Sequence, residues 1–200
     1  MARHGAGHPY PPDMRFSVPE PPLAAHGIVL RLPDADDTEW MTKACNDPDI
    51  AKFIPGMPSP YTKADAERFF ERAKNGWASG TRTPFVIADE MLNEPLGFVT
   101  MNVDERDPAI GLVGYWVRPE ARGRGAAKTA VHLITRWAFN DLAIERLQLT
   151  TAPENVASQR VAEYAGFRRE GVLRNWVAAD DGRRDSLMFS LLPVDLAGAT

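Results

Sequence analysis

The stretch from Val113 to Ala138 constrains the fold more than any other. It begins as an apolar strand pattern, Val113-Gly114-Tyr115-Trp116-Val117. It passes through Arg118-Pro119-Glu120-Ala121-Arg122-Gly123-Arg124-Gly125 and opens a long helix with Ala127, Ala130, Val131, Ile134, Trp137 and Ala138 on one face. A strand feeding a glycine-containing loop that opens a helix is an anion site. Amides at the helix start have no internal partner, and the macrodipole adds roughly half a positive charge. Glycines let the main chain approach phosphate oxygens with no Cβ in the way, and Arg122 and Arg124 add permanently charged donors. Two phosphate motifs fail here. A nucleotide P-loop needs glycine directly before Lys128-Thr129, where Ala127 stands, and a dinucleotide fingerprint needs a third glycine where Lys128 stands.

The rest of the chain arranges itself around this segment as one domain. Its 200 residues are 44% hydrophobic, enough for a full-sized core. Residues 1–22 hold Pro9, Pro11, Pro12, Pro19, Pro21 and Pro22 without apolar periodicity, which predicts a flexible tail, leaving 23–200 as the domain. A strand is predicted at Ile28–Leu32, then a helix capped by Asp36 or Asp37 and carrying Trp40, Met41 and Ala44. Asn46–Tyr61, with Pro48, Pro55, Pro58 and Pro60, is too rich in proline for a regular element. Thr62 caps a second helix whose Ala66, Phe69, Phe70, Ala73 and Trp77 share one face. Strands follow at Phe85–Ala88, Leu96–Val103 and Ile110–Val117, then the long helix, a strand at Arg146–Thr151 and a short helix at Val156–Ala165 ended by Gly166. Two closing strands, Phe167–Val177 and Ser186–Leu192, meet at Asp180-Asp181-Gly182. Hairpins mixed with crossovers predict an α/β fold with a mixed, mostly antiparallel sheet flanked by helices.

Composition narrows the function. A net charge of -4 argues against nucleic acid or an anionic membrane as main partner. No apolar run approaches the ~20 residues that span a bilayer, and the N-terminus lacks a signal-peptide core. Cys45 is the only cysteine, so neither an internal disulfide nor a zinc site is available to it. His4, His8 and His132 form no metal pattern. A reducing cytoplasm and a metal-free chemistry are the expectation.

The loop resembles the pyrophosphate loop of the GNAT superfamily of N-acetyltransferases, Arg/Gln-x-x-Gly-x-Gly/Ala, through Arg122, Gly125 and Ala127. Val117-Arg118-Pro119-Glu120-Ala121-Arg122 is similar to the family's strand end. Glu154-Asn155-Val156-Ala157-Ser158, with Ala165-Gly166-Phe167 beyond it, resembles the second motif. Val29-Leu30-Arg31, Asn46-Asp47-Pro48 and Asp185-Ser186-Leu187-Met188-Phe189 resemble the RimJ/RimL-like branch, and the resemblance covers about residues 23–195.

This resemblance implies acetyl-CoA as cosubstrate, no metal, and direct attack by an amine, either a peptide N-terminus or a small molecule. It implies that backbone groups of Tyr115, Trp116 and Val117 line the pantetheine arm, with the Val117 amide holding the thioester oxygen. Amides of Arg122, Gly123, Arg124, Gly125, Ala126 and Ala127 would hold the pyrophosphate, and Asn155 would belong to the same site. Ser158 takes the position from which a serine assists the leaving thiolate. The helical position that carries a tyrosine in many members is Ala162, while Tyr164 is expected in the core with Ala157 and Val161. Leu112 stands where RimL-like enzymes often carry a glutamate base, so water or a turn carboxylate (Asp104, Glu105 or Asp107) would replace it. Met57 and Tyr61 are expected in an acceptor wall between Phe53 and Tyr61. The alternative on the same fold is a non-catalytic acyl-CoA-binding protein, and a homodimer is compatible with either. The sequence names no acceptor.

Overall fold

The central strands read as near-continuous apolar runs, so both faces of their sheet must be covered. A computed structural model of the chain describes residues 16–179 and 182–197. Its strands are β1 (Leu23–Ala25), β2 (Ile28–Arg31), β3 (Arg82–Asp89), β4 (Pro95–Val103), β5 (Ile110–Val117), β6 (Arg146–Thr151), β7 (Arg168–Ala179) and β8 (Gly182–Leu191). They form one sheet in the order β1-β2-β3-β4-β5-β6-β8-β7. Only β5 and β6 run parallel; the other neighbours are antiparallel. The expected mixed, mostly antiparallel α/β fold is what forms.

Two apolar layers sandwich the sheet. On one face α4 (Ala126–Asp141) and α5 (Val156–Tyr164) pack over Phe85, Val99, Met101, Val113, Leu147 and Phe189. On the other, α1 (Thr38–Cys45) and α3 (Lys63–Ser79) bury Met41, Cys45, Tyr61 and Ala66 against Val86, Ala88 and Phe98. Thr62 caps α3 in a box with Asp65, and Gly80, at φ 69°, ends it in the left-handed region. Asp37 precedes α1 but makes no cap bond with its side chain. Its carboxylate instead takes both Arg31 Nη atoms at 2.7 and 2.8 Å and the Trp40 indole N–H at 2.6 Å, pinning β2 to α1.

Several local expectations need correcting. Asn46–Tyr61 contains a short helix, α2 (Pro48–Phe53): Asp47 caps it and Pro48 takes its first turn, where a missing N–H costs nothing. Asn46 then closes the loop, its amide bonding the Tyr61 carbonyl at 2.7 Å and the Tyr61 N–H at 3.0 Å. Tyr61 is therefore core rather than acceptor wall. The segment assigned to a tail holds Phe16, only 7% exposed with its ring 6.3 Å from that of Trp137, and the strand β1 begins at Leu23. Tyr164 lies outside the core at 63% exposed, under the Lys128 ammonium, and Ala157 is exposed as well; Val161 does pack against the core, and Ser158, Ala162 and Ala165 complete the inner face of α5. A C-terminal helix, α6 (Pro193–Ala197), closes the described chain. Asp180 and Asp181 of the expected closing turn lie outside the described residues.

Candidate functional site

The site begins where two parallel strands part. The β5–β6 ladder runs only from Ile110↔Arg146 to Leu112↔Gln148, although β5 continues to Val117 and β6 to Thr151. Past Leu112, β5 keeps its pairing with β4 on one side alone. Antiparallel ladders alternate hydrogen-bonded and non-bonded pairs. Arg118 donates to the Leu96 carbonyl at 2.9 Å, so Trp116 turns its peptide groups to β4, while Tyr115 and Val117 turn theirs into the gap. Trp116 is thus separated from the two residues named with it: its ring packs on the opposite face, 5.6 Å from Phe98 and 5.8 Å from Trp40. Gly97 makes this strand end possible. A Cβ there would lie 2.2 Å from the Trp116 carbonyl oxygen and 2.9 Å from the Val117 Cα.

The loop at the open end of the gap has the features that anion binding requires. Gly123 and Gly125 adopt φ of 77° and 82°, and nothing lies within 4 Å of where their Cβ atoms would stand. Gly125 is the N-cap of α4 with no side-chain cap, and no acid sits in the first turn. The first intrahelical bond is Thr129 N–H to the Gly125 carbonyl at 3.0 Å, so Ala126, Ala127 and Lys128 present amides without helical partners. Arg122 differs from the rest of the loop. Its amide donates to the Pro119 carbonyl at 3.2 Å, and its guanidinium grips Asp49 at 2.9 Å and Asp47 at 3.0 Å. It therefore ties the cofactor-side loop to α2, a link for which the sequence carried no signal because the partners lie more than seventy positions away.

Across the gap, α5 begins with Asn155 as its cap, the Oδ1 accepting the Ser158 N–H at 3.1 Å. Asn155 therefore acts here by fixing Ser158. Ser158 is also met from β5: the Tyr115 hydroxyl lies 2.9 Å from its Oγ and 3.2 Å from its carbonyl oxygen. Burial pushes the Tyr115 phenol up to about 12, against the opposing pull of the Ser158 hydrogen bond. Three residues anticipated separately (Tyr115, Asn155 and Ser158) are thus one hydrogen-bonded group on the wall of the gap.

A family profile described as the acetyltransferase (GNAT) domain matches residues 28–168. The chain belongs to the GNAT acetyltransferase family. It is similar to the uncharacterized N-acetyltransferase p20 of Bacillus licheniformis, 26% identical over 88% of this chain and 98% of that protein. Among solved structures, Mycobacterium smegmatis RimJ in complex with CoA-disulfide aligns with a TM-score of 0.76 at 25% identity, covering 84% of this chain and 83% of RimJ. A putative ribosomal N-acetyltransferase of Bacillus subtilis, YdaF, is 30% identical over a shorter stretch, 43% of this chain and 47% of its own. The protein is an acetyl-CoA-dependent N-acetyltransferase, and its parted strands and open loop fit that cosubstrate.

In this acetyltransferase, the alternate residues of β5 turn their side chains to the opposite face of the sheet from Tyr115 and Val117. Leu112, Gly114 and Trp116 alternate with the gap-facing residues, and Leu112 is 36% exposed. On that face Trp40 stacks on Phe98 at 5.5 Å and lies 5.8 Å from Trp116, an aromatic group at the end of the strand. Two of the three turn carboxylates considered as bases, Asp104 and Asp107, are engaged locally. Asp104 accepts the amides of Arg106 at 2.8 Å and Asp107 at 3.2 Å, and Asp107 accepts that of Ala109 at 3.0 Å. Cys45 is sealed in the α1–α3 core, where burial pushes its thiol up to about 12. No His/Cys/Asp/Glu cluster suited to a metal exists among the described residues, and none of their helices is long and apolar enough to cross a membrane.

Proposed function

We propose that this N-acetyltransferase acts on the α-amino group of a peptide or protein N-terminus, in the reducing cytoplasm, with no acyl-enzyme. The observation that carries the proposal is Leu112, an apolar, partly exposed residue at the position where RimL-like enzymes often carry a glutamate base. A site lacking a strong base favours an amine that is already neutral. An α-amino group, with a pKa of about 7.7–8.0, is roughly one-third neutral at pH 7.5, against about 0.1% for a lysine-like amine near 10.4. The aromatic pair Trp40 and Trp116, on the same face of the sheet as Leu112, supports the same choice over a polycationic acceptor, which would seek carboxylates. The similarity to YdaF, named as a putative ribosomal N-acetyltransferase, supports a protein acceptor.

The chain's own groups then divide the work. Amides of Gly123, Arg124, Gly125, Ala126 and Ala127 hold the pyrophosphate, and peptide groups of Tyr115 and Val117 line the pantetheine arm. The Val117 N–H receives the oxygen on which negative charge builds as the amine attacks, an aid worth on the order of 100-fold or more. The Ser158 hydroxyl donates to the sulfur as the C–S bond breaks, and the proton lost by the amine passes to water. The non-catalytic alternative gained its force from the empty positions Leu112 and Ala162. An acceptor that arrives neutral removes the need for the first, and Ser158 stands in for the second.

Thiol release from acetyl-CoA with a panel of unblocked peptides, alkyl diamines and aminoglycosides tests this. Peptides should give kcat/KM at least about tenfold above the others at pH 7.5. A preference for diamines or aminoglycosides would overturn it.

A further inference from the structure

We propose that Tyr115 is a positioning residue: its phenol, reaching across the strand gap, orients the Ser158 hydroxyl toward the leaving sulfur. This rests on the role given to Ser158 above. Tyr115 sits on the part of β5 that has left β6, its ring packs toward the α4 core, and its oxygen meets both oxygens of one residue on α5. The inner face of α5 allows the approach because Ser158, Ala162 and Ala165 are all small, with Ala162 fully buried. With Asn155 holding the Ser158 amide, the residue is fixed at three atoms: N–H, C=O and Oγ.

The phenol carries one hydrogen, and that decides what Ser158 can do. When Tyr115 donates to the Ser158 carbonyl, the serine hydrogen turns back to the phenol oxygen. When Tyr115 donates to Oγ, the serine hydrogen is released into the gap and is strengthened by the bond behind it. Rotation of one hydroxyl separates the two states, so negative charge on the sulfur selects the second. The buried phenol keeps its hydrogen throughout the pH range in which an α-amine is neutral, so no covalent step is needed.

A double-mutant cycle tests this, with kcat, acetyl-CoA KM and melting temperature measured for Tyr115→Phe, Ser158→Ala and the double variant. Phenylalanine keeps the ring and the backbone. Ser158→Ala should lower kcat about 10²-fold and Tyr115→Phe about three- to tenfold. Acetyl-CoA KM should stay within about twofold, and the double variant should be no slower than Ser158→Ala. A full rate in Tyr115→Phe, or losses that multiply in the double variant, would overturn the positioning role while leaving Ser158 in place. A full rate in Ser158→Ala would remove the serine's role, and Tyr115's with it. Should Tyr115→Phe fail to fold, a site-specific 3,5-difluorotyrosine, whose phenol is more acidic, replaces it. Its kcat should fall at lower pH than that of the native enzyme, and an unshifted profile would overturn the proposal.

Discussion

Substituting Gly125 by Asn and by Asp separates the charge at the pyrophosphate loop from its backbone strain. Gly125 lies at φ 82° with nothing within 4 Å of a would-be Cβ, so either side chain enters open space. Both meet the same left-handed backbone cost, about 1–2 kcal/mol at most, and both residue types tolerate that region better than other side chains. The two variants should therefore melt within a few degrees of each other and below the native protein. Cofactor affinity should divide them. A carboxylate roughly 6 Å from a phosphate charge, at an effective dielectric of about 40, repels it by about 1.4 kcal/mol. One such charge makes the loss about 1.4 kcal/mol and two about 2.8 kcal/mol, so calorimetry should show acetyl-CoA binding about ten- to a hundredfold weaker in Gly125→Asp than in Gly125→Asn. Equal affinities in two folded variants would refute the assignment of the loop, since a negative charge at the start of α4 would then meet no anion.

Three further outcomes follow from the structure. Arg122→Gln should weaken acetyl-CoA only about two- to threefold while raising acceptor KM, because the guanidinium holds Asp47 and Asp49 of α2; steady-state kinetics showing a large cofactor loss with unchanged acceptor KM would contradict this. Asp37→Asn should cost about 3 kcal/mol at pH 7 by breaking a largely buried pair with Arg31, read as a melting-temperature loss of several degrees. Burial opposes the Asp37 charge, but Arg31, the Asp34 amide and Trp40 outweigh it and hold the carboxyl below its usual range. Its stabilisation is thus present above about pH 4 and lost as pH falls through the folded value, so Asp37→Asn should flatten the acid limb of a melting-temperature profile. A chain beginning at Leu23 should lose stability on the order of 3 kcal/mol in denaturant titrations, because Phe16 leaves the core beside Trp137.

Much of the fold was legible because its signals are local. The Thr62 cap, the apolar stripe of α4 and the Gly166 stop each depend on residues a turn or two apart, and each element formed where expected. The shape of the glycine loop was legible for the same reason, since the left-handed backbone at Gly123 and Gly125 is what glycine spacing encodes. What stayed hidden depends on distance in the chain. Nothing near Tyr115 announces that its hydroxyl meets Ser158, because strand parting is a property of the sheet. Arg122 reads as a phosphate donor until Asp47 and Asp49 arrive from α2. Gly97 reads as an ordinary strand glycine until the Trp116 carbonyl closes over it. Phe16 was lost among prolines because one buried aromatic residue makes no period. The Pro48 helix was missed because a proline at a helix start is permitted and was taken as a break.

In the mechanism proposed, the enzyme supplies positioning and hydrogen-bond donors but no strong base, so the acceptor must arrive neutral. The most direct test is the pH dependence of kcat/KM at saturating acetyl-CoA for a set of peptides whose α-amino pKa values differ by more than about one unit. The account predicts that each profile rises with the acceptor's own pKa and then levels, the midpoint moving from peptide to peptide. A midpoint that stays fixed while the acceptor pKa changes would contradict it, for it would report a titrating base belonging to the enzyme.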